Sequence, residues 1–282
     1  MKRVLISSLA VCGLAMAAYL VRAADAPAPA SIPPAEADAK ARLEKSPRHG
    51  EWVDIKVPSM DKPMKAYVVY PERKDKAPVV VVIMEIYGLS DWIRATCDQL
   101  AADGFIAIGP DFVTGKGPNG AGSEAFTKDT VTRVVSGIPA AEVIADLNAT
   151  RDYGLKLPSA SGKSATVGFC WGGGMSFAYA AAQPDLNAAV VFYGTPPADE
   201  KLALVKAPVL GFYGGNDARV TATVAGTTAT MKKLAKDYDP HVMDGAGHGF
   251  MRAHAPTDLP ANSKAAEEAW PQVIKFLTDK TK

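Results

Sequence analysis

Hydrophobic and polar positions change rhythm several times along the chain. From Glu51, the residues Val53, Ile55 and Val57 alternate with Asp54 and Lys56, the period-two pattern of a strand with one face in water. A second strand is expected at residues 64–70, with turn material between the two. Alternation then stops. Residues 77–86 carry Val79, Val80, Val81, Val82 and Ile83 without interruption, as a strand covered on both faces of a parallel sheet requires. Further apolar runs at 105–110, 165–169, 188–193 and 208–213 predict more such strands. Helical spacing marks 92–102 and 140–155, where Val143, Ile144 and Leu147 share a face, and helix-compatible stretches separate the remaining runs. A last helix is expected at 263–277, kinked or divided by Pro271. Strand and helix in alternation predict an α/β fold, a mostly parallel central sheet flanked by helices on both faces, with two antiparallel strands possible at its start. No self-similarity at a period of about 20 to 50 residues is visible, which argues against a solenoid or propeller.

The ends follow other rules. A basic start at Lys2 and Arg3, an apolar stretch to Val21 and the small residue Ala23 read as a secretory signal over 1–23, with an uncleaved membrane anchor as the alternative. Residues 24–48, rich in Ala and Pro, are expected to form an extended tether, leaving 49–282 as one domain. Export to a bacterial periplasm or the exterior follows. The 282 residues carry 31 basic and 30 acidic side chains, and losing the signal would leave 28 against 30. Such a balance offers no case for a nucleic-acid partner. Three cysteines are too few for a disulfide scaffold.

Chemistry concentrates where strands meet helices. Gly168-Phe169-Cys170-Trp171-Gly172-Gly173 sets a cysteine between glycines at the end of an apolar run, a nucleophile-elbow pattern with Cys in the Ser position. The following helix would aim N–H groups at the sulfur, favouring a thiolate and a developing oxyanion. An acid and then a histidine should follow in chain order. Asp217 ends the Gly214-Gly215-Asn216-Asp217 turn, and His248 lies in Gly247-His248-Gly249-Phe250. His49, His241 and His254 form no close ligand pair, and no metal or cofactor is expected. Residues 115–122 are glycine-rich and suggest a mobile lid or rim. Lys116 precedes those glycines and no Gly-Lys-Ser/Thr follows, so the loop is not a Walker phosphate loop. Cys97 reads as a buried apolar residue.

With the elbow, the Gly-Gly-Asn-Asp turn, the His-Gly-Phe segment and Met84-Glu85-Ile86-Tyr87-Gly88 after the third strand, the chain resembles the dienelactone hydrolase family over about residues 51–277. The resemblance implies the α/β-hydrolase fold and hydrolysis of a small, possibly anionic ester or lactone through a Cys170-His248-Asp217 triad and a thioester acyl-enzyme. It also implies that Glu85 holds the resting thiol and takes part in its activation, and that the N–H groups of Ile86 and Trp171 form an oxyanion hole. Arg252 would hold a substrate carboxylate, with Tyr87 and Lys116 as further substrate contacts. A second carboxylate-binding arginine of the family has no counterpart in Pro110-Asp111-Phe112-Val113-Thr114-Gly115-Lys116, which loosens the case for dienelactone itself. The alternative is a non-catalytic protein of the same fold that binds a ligand or another protein.

Overall fold

The computed structural model describes residues 32–282. The expected signal and residues 24–31 of the expected tether lie outside them. Ahead of the sheet comes helix α1 (Glu36–Glu44). Then follow β1 (Gly50–Ile55), β2 (Met64–Val69), β3 (Ala77–Ile83), α2 (Asp91–Ala102), β4 (Ile106–Pro110), α3 (Lys128–Ser136) and α4 (Ala140–Leu155). The second half contains β5 (Ala160–Phe169), α5 (Trp171–Ala182), β6 (Ala188–Phe192), α6 (Asp199–Leu202) and β7 (Val209–Gly214). It closes with α7 (Ala218–Thr221), α8 (Val224–Lys233), β8 (Tyr238–Met243) and α9 (Pro260–Lys280). One eight-stranded sheet has the order β1-β2-β4-β3-β5-β6-β7-β8. The β1/β2 and β2/β4 pairs are antiparallel and all others parallel. No helix among the described residues is long and apolar enough to cross a membrane.

Burial follows the sequence rhythm. In β3 every residue except Pro78 is buried, whereas β1 alternates between wetter and drier positions. The continuous apolar runs therefore sit between two helical layers. Phe169, Phe192 and Phe212 stand in register on β5, β6 and β7 and stack with ring centroids 5.0 and 5.2 Å apart. Each such aromatic pair adds about 1 kcal/mol beyond its buried area. This ladder fixes the carboxyl ends of the central strands, and Cys170 and Tyr193 follow it directly in the chain.

Two expectations change. Residues 32–48 are not an extended tether: α1 lies on α2, Ala35 and Ala39 are buried, Trp92 Nε1 donates to the Pro34 carbonyl, and Arg48 forks onto Asp98 at 2.9 and 2.6 Å. Small alanines allow the close approach that their composition made look unstructured. The last helix runs unbroken from Pro260 to Lys280 although Pro271 lies inside it. Pro271 and Glu267 are both exposed, so water can take the carbonyl that the missing N–H leaves unbonded. The loop at 115–122 closes on itself, with the Gly115 and Gly117 N–H groups both donating to the Ala121 carbonyl.

Candidate active site

Cys170 sits between β5 and α5 at φ 56° and ψ −115°, a conformation that costs a non-glycine residue about 1–3 kcal/mol. Its neighbours explain how the strain is held. A Cβ on Gly168 would lie 2.0 Å from the Gly172 carbonyl oxygen, and one on Gly172 would lie 2.3 Å from that of Ile83. A side chain at either place would force strand and helix apart. The Cys170 N–H donates to the Phe192 carbonyl at 3.0 Å, tying the turn to the next strand.

The other two residues reach the sulfur from neighbouring strand ends. His248 Nε2 is 3.0 Å from Cys170 Sγ, and His248 Nδ1 is 2.5 Å from Asp217 Oδ2. Asp217 is buried, while His248 is about one-third exposed, so the carboxylate is shielded and the imidazole can meet a substrate. Asn216 Nδ2 donates to the Gly245 carbonyl and the Gly247 N–H to Asn262 Oδ1, each at 2.9 Å. The first bond ties the acid loop to the histidine loop, and the second ties the histidine loop to α9. Tyr193 packs edge-on against His248 with centroids 5.0 Å apart.

The Trp171 N–H lies beside the sulfur, and Ile86 sits in the loop after β3. Gly172 packs on the carbonyls of Ile83 and Met84, which brings the loop after β3 against the start of α5. Neither N–H donates to a backbone acceptor among the described residues, and that of Trp171 faces the sulfur.

Glu85 is buried, and its hydrogen bond goes to Arg252. Its Oε2 accepts from Arg252 Nε at 2.7 Å, and no hydrogen bond joins it to Cys170 among the described residues. Burial pushes the Glu85 carboxyl up to about 7 against the pull of Arg252. Burial, and then the Glu85 charge, push the Cys170 thiol up to about 11, with the Trp171 N–H working the other way. Desolvation thus works against the helix-end effect from which a thiolate was expected.

Arg252 is occupied rather than open. Besides Glu85 it binds Glu36 of α1, Nη1 to Oε2 at 2.5 Å. Tyr87 lies under two cations, Lys128 Nζ at 4.5 Å and the Arg252 guanidinium at 5.0 Å from its ring centre. It also borders a cleft of about 550 Å³ lined by Trp52, Leu89, Arg94, Asp111 and Phe126. Lys116 is not brought to the triad: it pairs with Glu142 at 2.5 Å and borders another cleft, with Met60, Lys62 and Gly120. Cys97 is fully buried and both described cysteines are free thiols.

Sequence reasoning missed Tyr193 and Glu36. Tyr193 had a usable signal, since it follows a buried parallel strand at its carboxyl end, where α/β proteins place their sites. Glu36 had none, being one acid in an Ala/Pro-rich stretch.

Known proteins place this geometry in company. The dienelactone hydrolase family model matches residues 64–281. A Yersinia pestis protein named "Putative carboxymethylenebutenolidase" is 31% identical over 234 residues, covering 79% of this chain and 86% of its own. An Escherichia coli K12 protein of the same name is 30% identical, covering 78% and 84%. A Klebsiella pneumoniae crystal structure titled "Putative Dienelactone Hydrolase" superposes with a TM-score of 0.70 at 27% identity, over 82% of this chain and 99% of its own.

Proposed function

The chain belongs to the dienelactone hydrolase family, and on that premise we propose that it hydrolyses small esters and lactones through a thioester formed on Cys170. The observation that carries this reading is the unbroken chain from Asp217 to His248 to Cys170, with contacts of 2.5 and 3.0 Å between residues held on three different strand ends. A ligand-binding role would require neither contact.

In this mechanism the substrate carbonyl lies over Cys170 with its oxygen toward the N–H groups of Ile86 and Trp171. His248 Nε2 takes the thiol proton as the sulfur attacks the carbonyl carbon, and Asp217 holds the ring through Nδ1 and stabilises its positive charge. Each N–H donor is worth about 3 kcal/mol once charge develops on the oxygen. His248 passes its proton to the departing alkoxide as the C–O bond breaks, leaving a thioester. Water then attacks that thioester, His248 accepts its proton, and the acid leaves as the thiol reforms. In a lactone the departing alkoxide stays attached to the acyl chain. No resident cofactor or metal enters these steps.

Glu85 raises the energy of the thiolate, so the sulfur is not ionised in advance and loses its proton only as His248 takes it. The basic start and apolar run of residues 1–23 support export as part of this reading. Cys170→Ala tests the core of it: turnover of aryl esters should fall by about 10³-fold or more with the melting temperature nearly unchanged. Retained turnover in that variant overturns the mechanism and leaves the binding-protein alternative.

A further inference from the structure

We propose that Glu36 is a specificity-determining residue, its carboxylate filling the cationic corner made by Arg252 and Lys128 so that the site accepts neutral acyl groups and disfavours anionic ones. This rests on the hydrolase reading above and deepens it by naming the substrate class.

Three contacts place Glu36 there. Its N–H donates to the Arg252 carbonyl at 2.9 Å, its Oε2 meets Arg252 Nη1 at 2.5 Å, and its Oε1 accepts from Lys128 Nζ at 3.1 Å. Arg252 on its other side binds Glu85. Two cations thus face two carboxyl groups, and the corner is filled before any substrate arrives. The corner adjoins the reaction centre, since Glu85 immediately precedes the oxyanion-hole residue Ile86 and Arg252 lies four residues beyond His248. A substrate carboxylate would have to displace one that is tethered in place, at an effective concentration a free anion does not match. Without Glu36 the same corner presents Lys128 and the free end of Arg252.

The carboxylate is not what docks the helix. The Pro33 carbonyl contacts His254 Nε2, Trp92 bonds the Pro34 carbonyl, Arg48 forks onto Asp98, and Ala35 and Ala39 are buried. Glu36→Gln should therefore keep α1 in place while removing the charge.

The test compares kcat/KM for a matched pair, 4-nitrophenyl pentanoate and mono-4-nitrophenyl glutarate, in wild type, Glu36→Gln and Glu36→Ala. Wild type should favour the neutral ester, and both variants should raise the anionic-to-neutral ratio by about tenfold, chiefly through KM. A ratio that stays fixed, including one in which both esters lose rate equally, overturns the proposal, as does a wild-type preference for the anionic ester. Calorimetric titration with glutarate gives an answer independent of turnover: binding should appear in Glu36→Gln and be much weaker in wild type. Equal binding overturns the role of Glu36 even if the enzyme proves to be a hydrolase. Retained turnover in Cys170→Ala would instead sink the mechanism without touching the titration.

Discussion

Glu85 and Cys170 share a region short of water, and the Glu85 charge makes ionisation of the thiol harder. Burial raises both groups, to about 7 for the carboxyl and about 11 for the thiol, and the Glu85 charge is the second cause of the thiol's rise. Glu85→Gln preserves shape and removes that charge, so the pH profile for iodoacetamide labelling of Cys170 should move down by roughly one unit. An unmoved profile would separate the two groups electrically. Cys97, with no exposed surface, should stay unlabelled in the folded protein. Cys170, Asp217 and His248 were legible in the sequence because each needs glycine neighbours at a strand end and they follow a fixed order. The partner of Glu85 was not legible: Arg252 is 167 positions away, and which carboxylate a guanidinium chooses depends on packing that no local pattern encodes. The pairing of Lys116 was not legible for the same reason, Glu142 lying on a helix that sequence spacing alone could not orient.

At the level of elements, the joint between β3, β5 and α5 carries the site. A methyl group at Gly172 would lie 2.3 Å from the Ile83 oxygen and 2.4 Å from that of Met84, both rigid backbone. Gly172→Ala should therefore cost about 1–3 kcal/mol or more in urea unfolding and lower turnover too, because the Ile86 loop must shift. Gly226, exposed in α8, meets nothing within 4 Å. Gly226→Ala should stabilise the protein by about 0.5–1 kcal/mol, and a loss there would contradict the open space around it. The buried strands were readable because a strand covered on both faces must be apolar throughout. Other elements were not, β8 and α1 among them. β8 carries Pro240 and alternates weakly at the sheet edge, and α1 has no apolar stripe, being held by alanine contacts and polar links.

Over the whole molecule, two buried carboxyls shape the response to pH. Asp146 is pushed up to about 7 by burial, with Glu142 adding to the shift and Lys116 opposing it. Glu85 reaches the same range. In both cases the folded state binds its proton more tightly than the unfolded chain does. The stability they confer is complete below the ordinary carboxyl range and is lost as pH rises through about 7. Unfolding free energy should thus be lower at pH 7.5 than at pH 5.5, by about 1–3 kcal/mol. Asp146→Asn should flatten that slope and gain stability at pH 7.5, whereas a slope unchanged by the substitution would remove Asp146 as its cause. The upward push on the Cys170 thiol has a different consequence. Peroxides attack thiolates, and a sulfenic acid is normally rescued by a second thiol nearby. Cys97 is sealed in the core and cannot serve as that partner. A sulfur that gives up its proton with difficulty should therefore resist an oxidation that no second accessible thiol among the described residues could reverse.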